Sequence, residues 1–176
     1  MQLNSYVKYF NSFFKSEQLP VEIAAAVEVI KKSKRIFFIG NGGSNAICSH
    51  MMEDFGKIAR IPSFSFSDPA LITCYSNDYG YERAMEEWLK LHFTATDLLV
   101  AVSSSGESKN IVNAVDYVNS LNHNVITLSG FKEGNALSKR GKVNFYLPVS
   151  NYGMVECYHQ VILHIILDSL AGTQTE

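Results

Sequence analysis

The chain has 176 residues, 47% of them hydrophobic, with 15 Lys and Arg against 17 Asp and Glu and a net charge of −2. This length suits one domain with a substantial core, and the composition excludes a disordered chain. The charge balance supplies no basic field for nucleic acid, and no apolar stretch approaches the ~20 residues of a membrane span.

The predicted elements begin with two helices, over residues 3–15 and 19–33. A short apolar run at 35–39 ends in glycines and indicates a buried parallel strand. The elements that follow are a helix at 46–59, a strand at 63–66, helices at 69–76 and 82–92, a strand at 97–102, a helix at 108–121, strands at 125–128 and 143–147, and a helix at 154–170. Alternation of strands and helices predicts an α/β fold: a three-layer αβα sandwich with a central parallel sheet of about five strands. Residues 1–34 are predicted to be a helical appendage that packs on the core and on partner subunits, and residues 35–172 the main domain.

Two features of the sequence bear on the compartment. The three cysteines, Cys48, Cys74 and Cys157, have no CxxC spacing, which argues against a disulfide framework. The N-terminal residues lack the apolar core and small-residue cleavage site of a signal peptide. We therefore expect a reduced, cytoplasmic protein without a membrane or nucleic-acid partner.

A glycine-rich loop, Gly40-Asn41-Gly42-Gly43-Ser44, joins the first predicted strand to a helix. Such a loop presents backbone N–H groups to an anion at a helix start. A dinucleotide fingerprint GxGxxG would need glycine where Asn45 stands, so no nucleotide cofactor is expected. The plainer interpretation is a tight strand–helix turn.

A serine-rich loop follows the strand at 97–102. It reads Ser103-Ser104-Ser105-Gly106-Glu107-Ser108 and places four hydroxyls at a helix start. Hydroxyls and first-turn N–H groups are donors for phosphate oxygens. One serine would serve as a helix cap, and four exceed that need. Because the sequence GxxxxGK[ST] is absent, we expect a single phosphate group of a metabolite rather than a triphosphate.

Titratable side chains recur at helical spacing on two predicted helices. His50 and Asp54 lie four residues apart on the helix after the glycine loop, where a solvated surface pair is the alternative. Glu156, Gln160 and His164 form a line along the apolar closing helix, and burying them without partners would be costly. A hydrogen-bonded core histidine is the alternative for His164.

The two loops in this order, with the histidine of the closing helix, resemble the SIS (sugar isomerase) domain family. The segment Asn77-Asp78-Tyr79-Gly80 resembles the family's Asn-Asp-aromatic-Gly segment. With His50, Asn77-Asp78 and His164 taken together, the chain is similar to the sedoheptulose-7-phosphate (phosphoheptose) isomerases. The resemblance extends from the N-terminal helices to Leu170, and makes residues 35–172 the SIS domain.

The resemblance implies roles for individual residues. Catalytic roles fall on Asp54 and His164, which would flank C1 and C2 of the sugar, with Glu156 as another candidate base. A possible zinc ion would be held by His50, Asp54, Glu156 and His164. The sequence departs from the family pattern at two of these positions, where the family has Glu in place of Asp54 and Gln in place of Glu156.

The expected activity is aldose–ketose isomerisation of a phosphorylated sugar through an enediolate, feeding heptose or surface-polysaccharide biosynthesis. The serine loop would hold the phosphate, while Asn41, Asn77 and Asp78 bind the polyol. The resemblance also implies a homotetramer with active sites at subunit interfaces. Two alternatives stay open: a non-catalytic SIS module that binds a sugar phosphate or a protein partner, and an isomerase for a different phosphorylated sugar. The predicted substrate-binding residues are Asn41, Gly42, Gly43, Ser44, Asn77, Asp78, Ser103, Ser104, Ser105 and Ser108.

Overall fold

The computed structural model describes residues 2–172. Its helices are α1 (Gln2–Phe14), α2 (Gln18–Lys31), α3 (Gly43–Lys57), α4 (Pro69–Tyr79), α5 (Ala84–His92), α6 (Lys109–Ser120) and α7 (Tyr152–Ala171). Its strands are β1 (Arg35–Gly40), β2 (Ser63–Ser65), β3 (Asp97–Ser103), β4 (Asn124–Gly130) and β5 (Val143–Leu147).

The five strands form one parallel sheet in the order β2-β1-β3-β4-β5. Successive side chains of a strand point to opposite faces, and β1 illustrates the result. Ile36 and Phe38 join a core formed with α2, α3 and α7, whereas Phe37 and Ile39 join a second core formed with α5 and α6. Helices thus cover both faces of the sheet, which confirms the predicted three-layer αβα sandwich.

The N-terminal helices differ in how they pack. Residues Leu19, Ala26 and Ile30 of α2 are buried in the same core as the sheet. Helix α1 has no fully buried residue, but Phe13 lies against Tyr158 of α7 with ring centroids 4.4 Å apart. The division of the chain at residue 34 stays a prediction.

An ion pair between the partly exposed Arg35 and the buried Asp97 joins β1 and β3 at their amino ends, where the two residues are register partners. Arg35 donates to both Asp97 oxygens, at 2.9 and 2.6 Å, and Thr94 donates to the same carboxylate from its backbone and its hydroxyl. Burial alone would raise the pKa of Asp97, but these hydrogen bonds and the guanidinium charge lower it below its usual value.

Three element bounds near the site differ from the predictions. Helix α3 begins at Gly43, inside the glycine loop, because that loop turns directly into the helix. Helix α4 continues to Tyr79, so Asn77 and Asp78 lie in its last turn rather than beyond it. Helix α7 begins at Tyr152, with the side chain of Asn151 accepting a hydrogen bond from the backbone N–H of Met154 as its cap.

Candidate active site

A cavity of about 250 Å³ lies where the two predicted anion loops meet. The loops follow β1 and β3, which are neighbours in the sheet. Since chain order reverses between these two strands, the cavity occupies the position at which open parallel sheets bind ligands. Its lining residues are Asn41, Gly42, Gly43, Ser44, Ser103, Ser104, Ser105, Ser108, Tyr152 and Glu156.

Three helices begin at this cavity. Gly43 is the first residue of α3, Ser108 precedes α6, and Tyr152 is the first residue of α7. Each helix start directs free backbone N–H groups and a partial positive charge toward a ligand. The structure therefore brings the N-termini of three helices, each of which favours an anion, to the same cavity.

The serine hydroxyls line the cavity, and one pair of them joins the two loops. Ser44 Oγ lies 3.5 Å from Ser104 Oγ, and Ser103 Oγ donates to Ser108 Oγ at 3.2 Å. Ser105 Oγ accepts the N–H of Glu107 at 3.2 Å. Among the described residues that line the cavity none is Lys or Arg, so hydroxyls and backbone dipoles would bind the anion.

Glu156 brings a carboxylate to the same cavity. Its side chain packs against Gly43 so closely that a Cβ added to the glycine would lie 2.5 Å from both carboxylate oxygens. Gly43 therefore provides the room that Glu156 occupies at the start of α3. No Lys, Arg or His of the described chain forms an ion pair with this carboxylate.

Asn41 is held by partners that sequence reasoning missed. Its side-chain amide exchanges two hydrogen bonds of 2.9 Å with that of the buried Asn110. Tyr81 donates a further hydrogen bond of 2.8 Å to Asn41 Oδ1. The pair links the glycine loop to α6. Asn110 stands two residues after Ser108, so its place beside the serine loop could have indicated it from the sequence. Nothing in the sequence indicated Tyr81 or Tyr152.

The structure does not bring Asn77 and Asp78 to this cavity. Their side chains hydrogen-bond each other at 3.0 Å, and Cys74 Sγ lies 3.7 Å from Asp78. Both residues are exposed on α4. Their predicted role in binding the polyol stays a prediction.

A second cluster lies further along α3 and α7. Asp54 Oδ2 is 2.9 Å from His50 Nε2 and 3.8 Å from His164 Nδ1. The Asp54 side chain is 16% exposed, whereas His50 is 55% exposed at the surface. Gln160 Nε2 lies 2.8 Å from His164 Nε2 and 3.1 Å from Met51 Sδ, which fixes the imidazole from its other side.

The donor set of this cluster fits a metal ion. One ligand atom from each of His50, Asp54 and His164 lies within 4.8 Å of the others. Two imidazoles and a carboxylate are a known donor set for catalytic zinc. Glu156, the fourth predicted ligand, lies outside this group, with its carboxylate in the cavity against Gly43.

His159 is the other histidine of α7, and unlike His164 it faces the core. It is fully buried, and its Nε2 lies 3.2 Å from the backbone oxygen of Ser129. Burial lowers the pKa of His159 to about 4, because the charged imidazolium would lose its hydration. Its place in the fold is structural.

Comparisons with known proteins show which family the chain resembles in sequence. The family model described as SIS domain matches residues 3–130. Phosphoheptose isomerase of Fusobacterium nucleatum is 32% identical over 147 residues, covering 81% of this chain and 75% of that protein. Phosphoheptose isomerase of Cytophaga hutchinsonii is 31% identical over 176 residues, covering 94% of this chain and 92% of that protein.

Solved structures share the fold. A phosphoheptose isomerase from Francisella tularensis has a TM-score of 0.86 at 23% identity, covering 98% of this chain and 95% of that one. Phosphoheptose isomerase GmhA from Neisseria gonorrhoeae has a TM-score of 0.85 at 22% identity, covering 96% and 95%. The sequence matches and the shared architecture identify the chain as a member of the SIS domain family, within the group of the phosphoheptose isomerases.

Proposed function

We propose that the protein interconverts sedoheptulose 7-phosphate and an aldoheptose 7-phosphate in heptose or surface-polysaccharide biosynthesis. The observation that carries this proposal is the connection of two sites by the same two helices. Gly43 and Glu156 border the anion cavity, while Asp54 and His164 form the acid–imidazole cluster further along α3 and α7.

The spacing between the two sites supports a long sugar. From Glu156 to His164, α7 advances eight residues, or about 12 Å at ~1.5 Å per residue. The eight bonds from C1 of a heptose to its terminal phosphorus span roughly 10 Å when each carbon–carbon bond is ~1.5 Å long and the chain is zigzag. A triose phosphate, with half as many bonds, would not reach from the cavity to the cluster.

The cluster supplies the groups that an isomerisation needs. From the ketose, Asp54 would take the proton on C1, the C–H electron pair would form the C1–C2 double bond, and the carbonyl pair would move to O2. His164 would give a proton to O2 and take the proton from O1, because an imidazole ring can both donate and accept a proton. Return of a proton from Asp54 to C2, after the carboxyl proton has exchanged with solvent, completes the aldose without a redox cofactor.

A zinc ion is a candidate cofactor. His50, Asp54 and His164 would hold it, and a bound zinc ion supplies Lewis-acid polarisation of a carbonyl oxygen. The residues of the anion cavity would orient the substrate through its phosphate.

The alternative of a non-catalytic binding module is less well supported. A phosphate-binding module needs only the cavity. It would not need Asp54 and His164 held 3.8 Å apart, with Gln160 fixing the imidazole. The cluster therefore favours an enzyme.

We also propose a cytoplasmic homotetramer with sites at subunit interfaces. Apolar side chains of α1 and α7 are exposed in the single chain, among them Leu3 at 59%, Val7 at 51% and Val161 at 40%. An apolar groove of about 580 Å³ runs between α2 and α7 beside Phe14. Such faces gain stability when a second subunit covers them. Among the helices of residues 2–172, none combines the length and apolarity needed to cross a bilayer.

The decisive experiment is turnover of sedoheptulose 7-phosphate in deuterium oxide by the purified protein. We expect an aldoheptose 7-phosphate that carries deuterium at C2, detected by NMR. Ribulose 5-phosphate and fructose 6-phosphate, tested in parallel, should turn over at least ~10-fold more slowly if the distance between the sites selects the chain length. Binding of the heptose phosphate without exchange at any carbon would support the binding module instead.

A further inference from the structure

The loop after β4 contains a buried polar residue that the proposed reaction does not use directly. Asn135 is 3% exposed within a segment whose neighbours Lys132, Glu133 and Gly134 are exposed. A polar side chain that is buried in this way must find its hydrogen bonds inside the protein.

Asn135 forms a set of five side-chain hydrogen bonds. The two N–H groups of its amide are shared among three acceptors, Ser129 Oγ at 3.3 Å, Gly130 O at 3.0 Å and Lys132 O at 3.1 Å. Its Oδ1 accepts the N–H groups of Leu137 at 3.2 Å and Ser138 at 2.9 Å. The end of β4 and the segment after it are thus tied to one amide.

This amide also lies directly against the serine loop. Gly106 has a φ of 68°, and a Cβ at this residue would lie 1.9 Å from Asn135 Oδ1. Glycine is required here both by the left-handed backbone and by the close approach of the amide. The loop is further joined to the segment by Leu137 N–H donating to Gly106 O and by Ala136 N–H donating to Glu107 Oε1.

Gly106 sits at the centre of the anion-binding turn. Its N–H donates to the backbone oxygen and the Oγ of Ser103, and the cavity residues Ser105 and Ser108 flank it. A shift of the turn at Gly106 would therefore move the hydroxyls and N–H groups that face the cavity.

We propose that Asn135 is a positioning residue that holds the Ser103–Ser108 turn in its phosphate-binding conformation through its contact with Gly106. This inference rests on the proposed function for its substrate. It does not depend on the chemical step, because Asp54 and His164 lie on α3 and α7, outside the turn.

The test compares Asn135→Ala with a matched control, Asn144→Ala. Asn144 also bonds a neighbouring strand and turn, through Thr127 Oγ1, Gly141 N and Gly141 O, but at the start of β5, away from the carboxyl edge of the sheet. Asn135→Ala loses buried hydrogen bonds and Asn144→Ala loses part-buried ones, so both variants should lose stability. Only Asn135→Ala should raise the Kd for inorganic phosphate, by at least ~10-fold, measured by calorimetry on the full chain.

With the sugar phosphate as substrate, Asn135→Ala should raise KM by a similar factor while kcat changes less than about threefold. Gly106→Ala probes the same contact from the serine loop and should reproduce the effect if Asn135→Ala fails to fold. Combining both changes should cost less binding than the sum of the two, because Asn135→Ala removes the Oδ1 atom that the new Cβ would meet, while the backbone strain at Gly106 remains.

A folded variant at either position that binds inorganic phosphate as tightly as the wild-type chain overturns the proposal. So does an equal loss of affinity in Asn144→Ala. If the wild-type chain fails to isomerise heptose phosphate, the proposed function fails, while the calorimetric comparison still decides the role of Asn135.

Discussion

The carboxylate of Glu156 lies against Gly43, at the point where α3 begins and where the anion cavity opens. A negative charge here opposes a bound phosphate, and none of the described cationic side chains offsets it with an ion pair. Repulsion between two like charges within one partly solvated cavity costs about 1–2 kcal/mol. The residue thus sets a limit on how tightly the cavity holds its ligand.

Glu156→Gln should therefore bind inorganic phosphate about 10-fold more tightly, corresponding to ~1.4 kcal/mol. Isothermal calorimetry at pH 8 in the presence of a chelator measures this directly. Glu53→Gln, on the exposed side of α3 beside Lys57, changes the same net charge outside the cavity lining and serves as the control. Equal affinities of Glu156→Gln and the wild-type chain would contradict the predicted repulsion.

Loss of the acid–imidazole pair should abolish turnover without loss of binding. We expect Asp54→Asn and His164→Gln each to lower kcat by ~10²–10⁴-fold, the usual range for a general acid or base. KM should change much less, because neither residue lines the anion cavity. Steady-state kinetics and exchange of deuterium at C2 measure the loss. Isomerisation that survives the double replacement would refute these roles.

Zinc binding by the cluster of His50, Asp54 and His164 can be tested separately from activity. His50→Ala removes one of the three donors within 4.8 Å and should weaken Zn²⁺ binding by at least ~10-fold. Competition with a fluorescent zinc chelator measures the affinity without any assay of activity. His92→Ala, an exposed histidine at the end of α5, should leave it unchanged. Equal zinc affinity in the two variants would exclude His50 as a ligand.

The ion pair at the amino end of the sheet should contribute strongly to stability. Arg35→Ala leaves the carboxylate of Asp97 buried without its partner, and the free energy of unfolding should fall by about 3 kcal/mol. Lys31→Ala removes an exposed pair with Glu28 and should cost less than ~1 kcal/mol. Urea denaturation at fixed protein concentration compares the two variants.

The pH dependence of this effect has a definite sign. The folded pKa of Asp97 is lowered, so its stabilising contribution is present above the unfolded pKa of about 4. That contribution is lost as the pH falls toward the folded value. The difference between wild type and Arg35→Ala should therefore narrow below pH ~4, and a constant difference would contradict the assignment.

Protonation of the buried His159 should lower the free energy of unfolding in mild acid. Its folded pKa is about 4, below the unfolded value of ~6.5, so the unfolded chain binds more protons between these values. Stability should fall by about 2 kcal/mol between pH 7 and pH 5. His159→Gln keeps a donor for Ser129 O without titrating and should flatten this dependence in thermal denaturation with a chelator present. His92→Gln should retain the wild-type slope.

The sequence predicted those parts of the cavity and of the cluster that depend on neighbouring residues in the chain. The glycines and serines after β1 and β3 present backbone N–H groups and hydroxyls that can bind an anion. Parallel strands bring their carboxyl ends, and hence these loops, to one edge of the sheet. Ser44, Ser104 and Ser105 therefore line one cavity although up to 61 residues separate them. The spacing of His50 and Asp54 placed them correctly on one face of α3.

The remaining features depend on contacts between distant segments. Asn135 has no spacing relation to Gly106, and only the fold shows that the two touch. Asn77 and Asp78 lie in the last turn of α4, away from the cavity lining, because that helix continues to Tyr79. Glu156 and His164 are about two turns apart along α7. Because of this separation, the carboxylate lies in the cavity while the imidazole lies beside Asp54.

The residues that line the cavity come from three segments, 41–44, 103–108 and 152–156. A ribosome delivers these segments in that order, and the last of them arrives only with the final helix. A nascent chain that stops before Tyr152 has all five strands but lacks one wall of the cavity. Binding of a phosphate ester should therefore require that synthesis has continued through α7. Chains that terminate before Tyr152 should not bind the ligand.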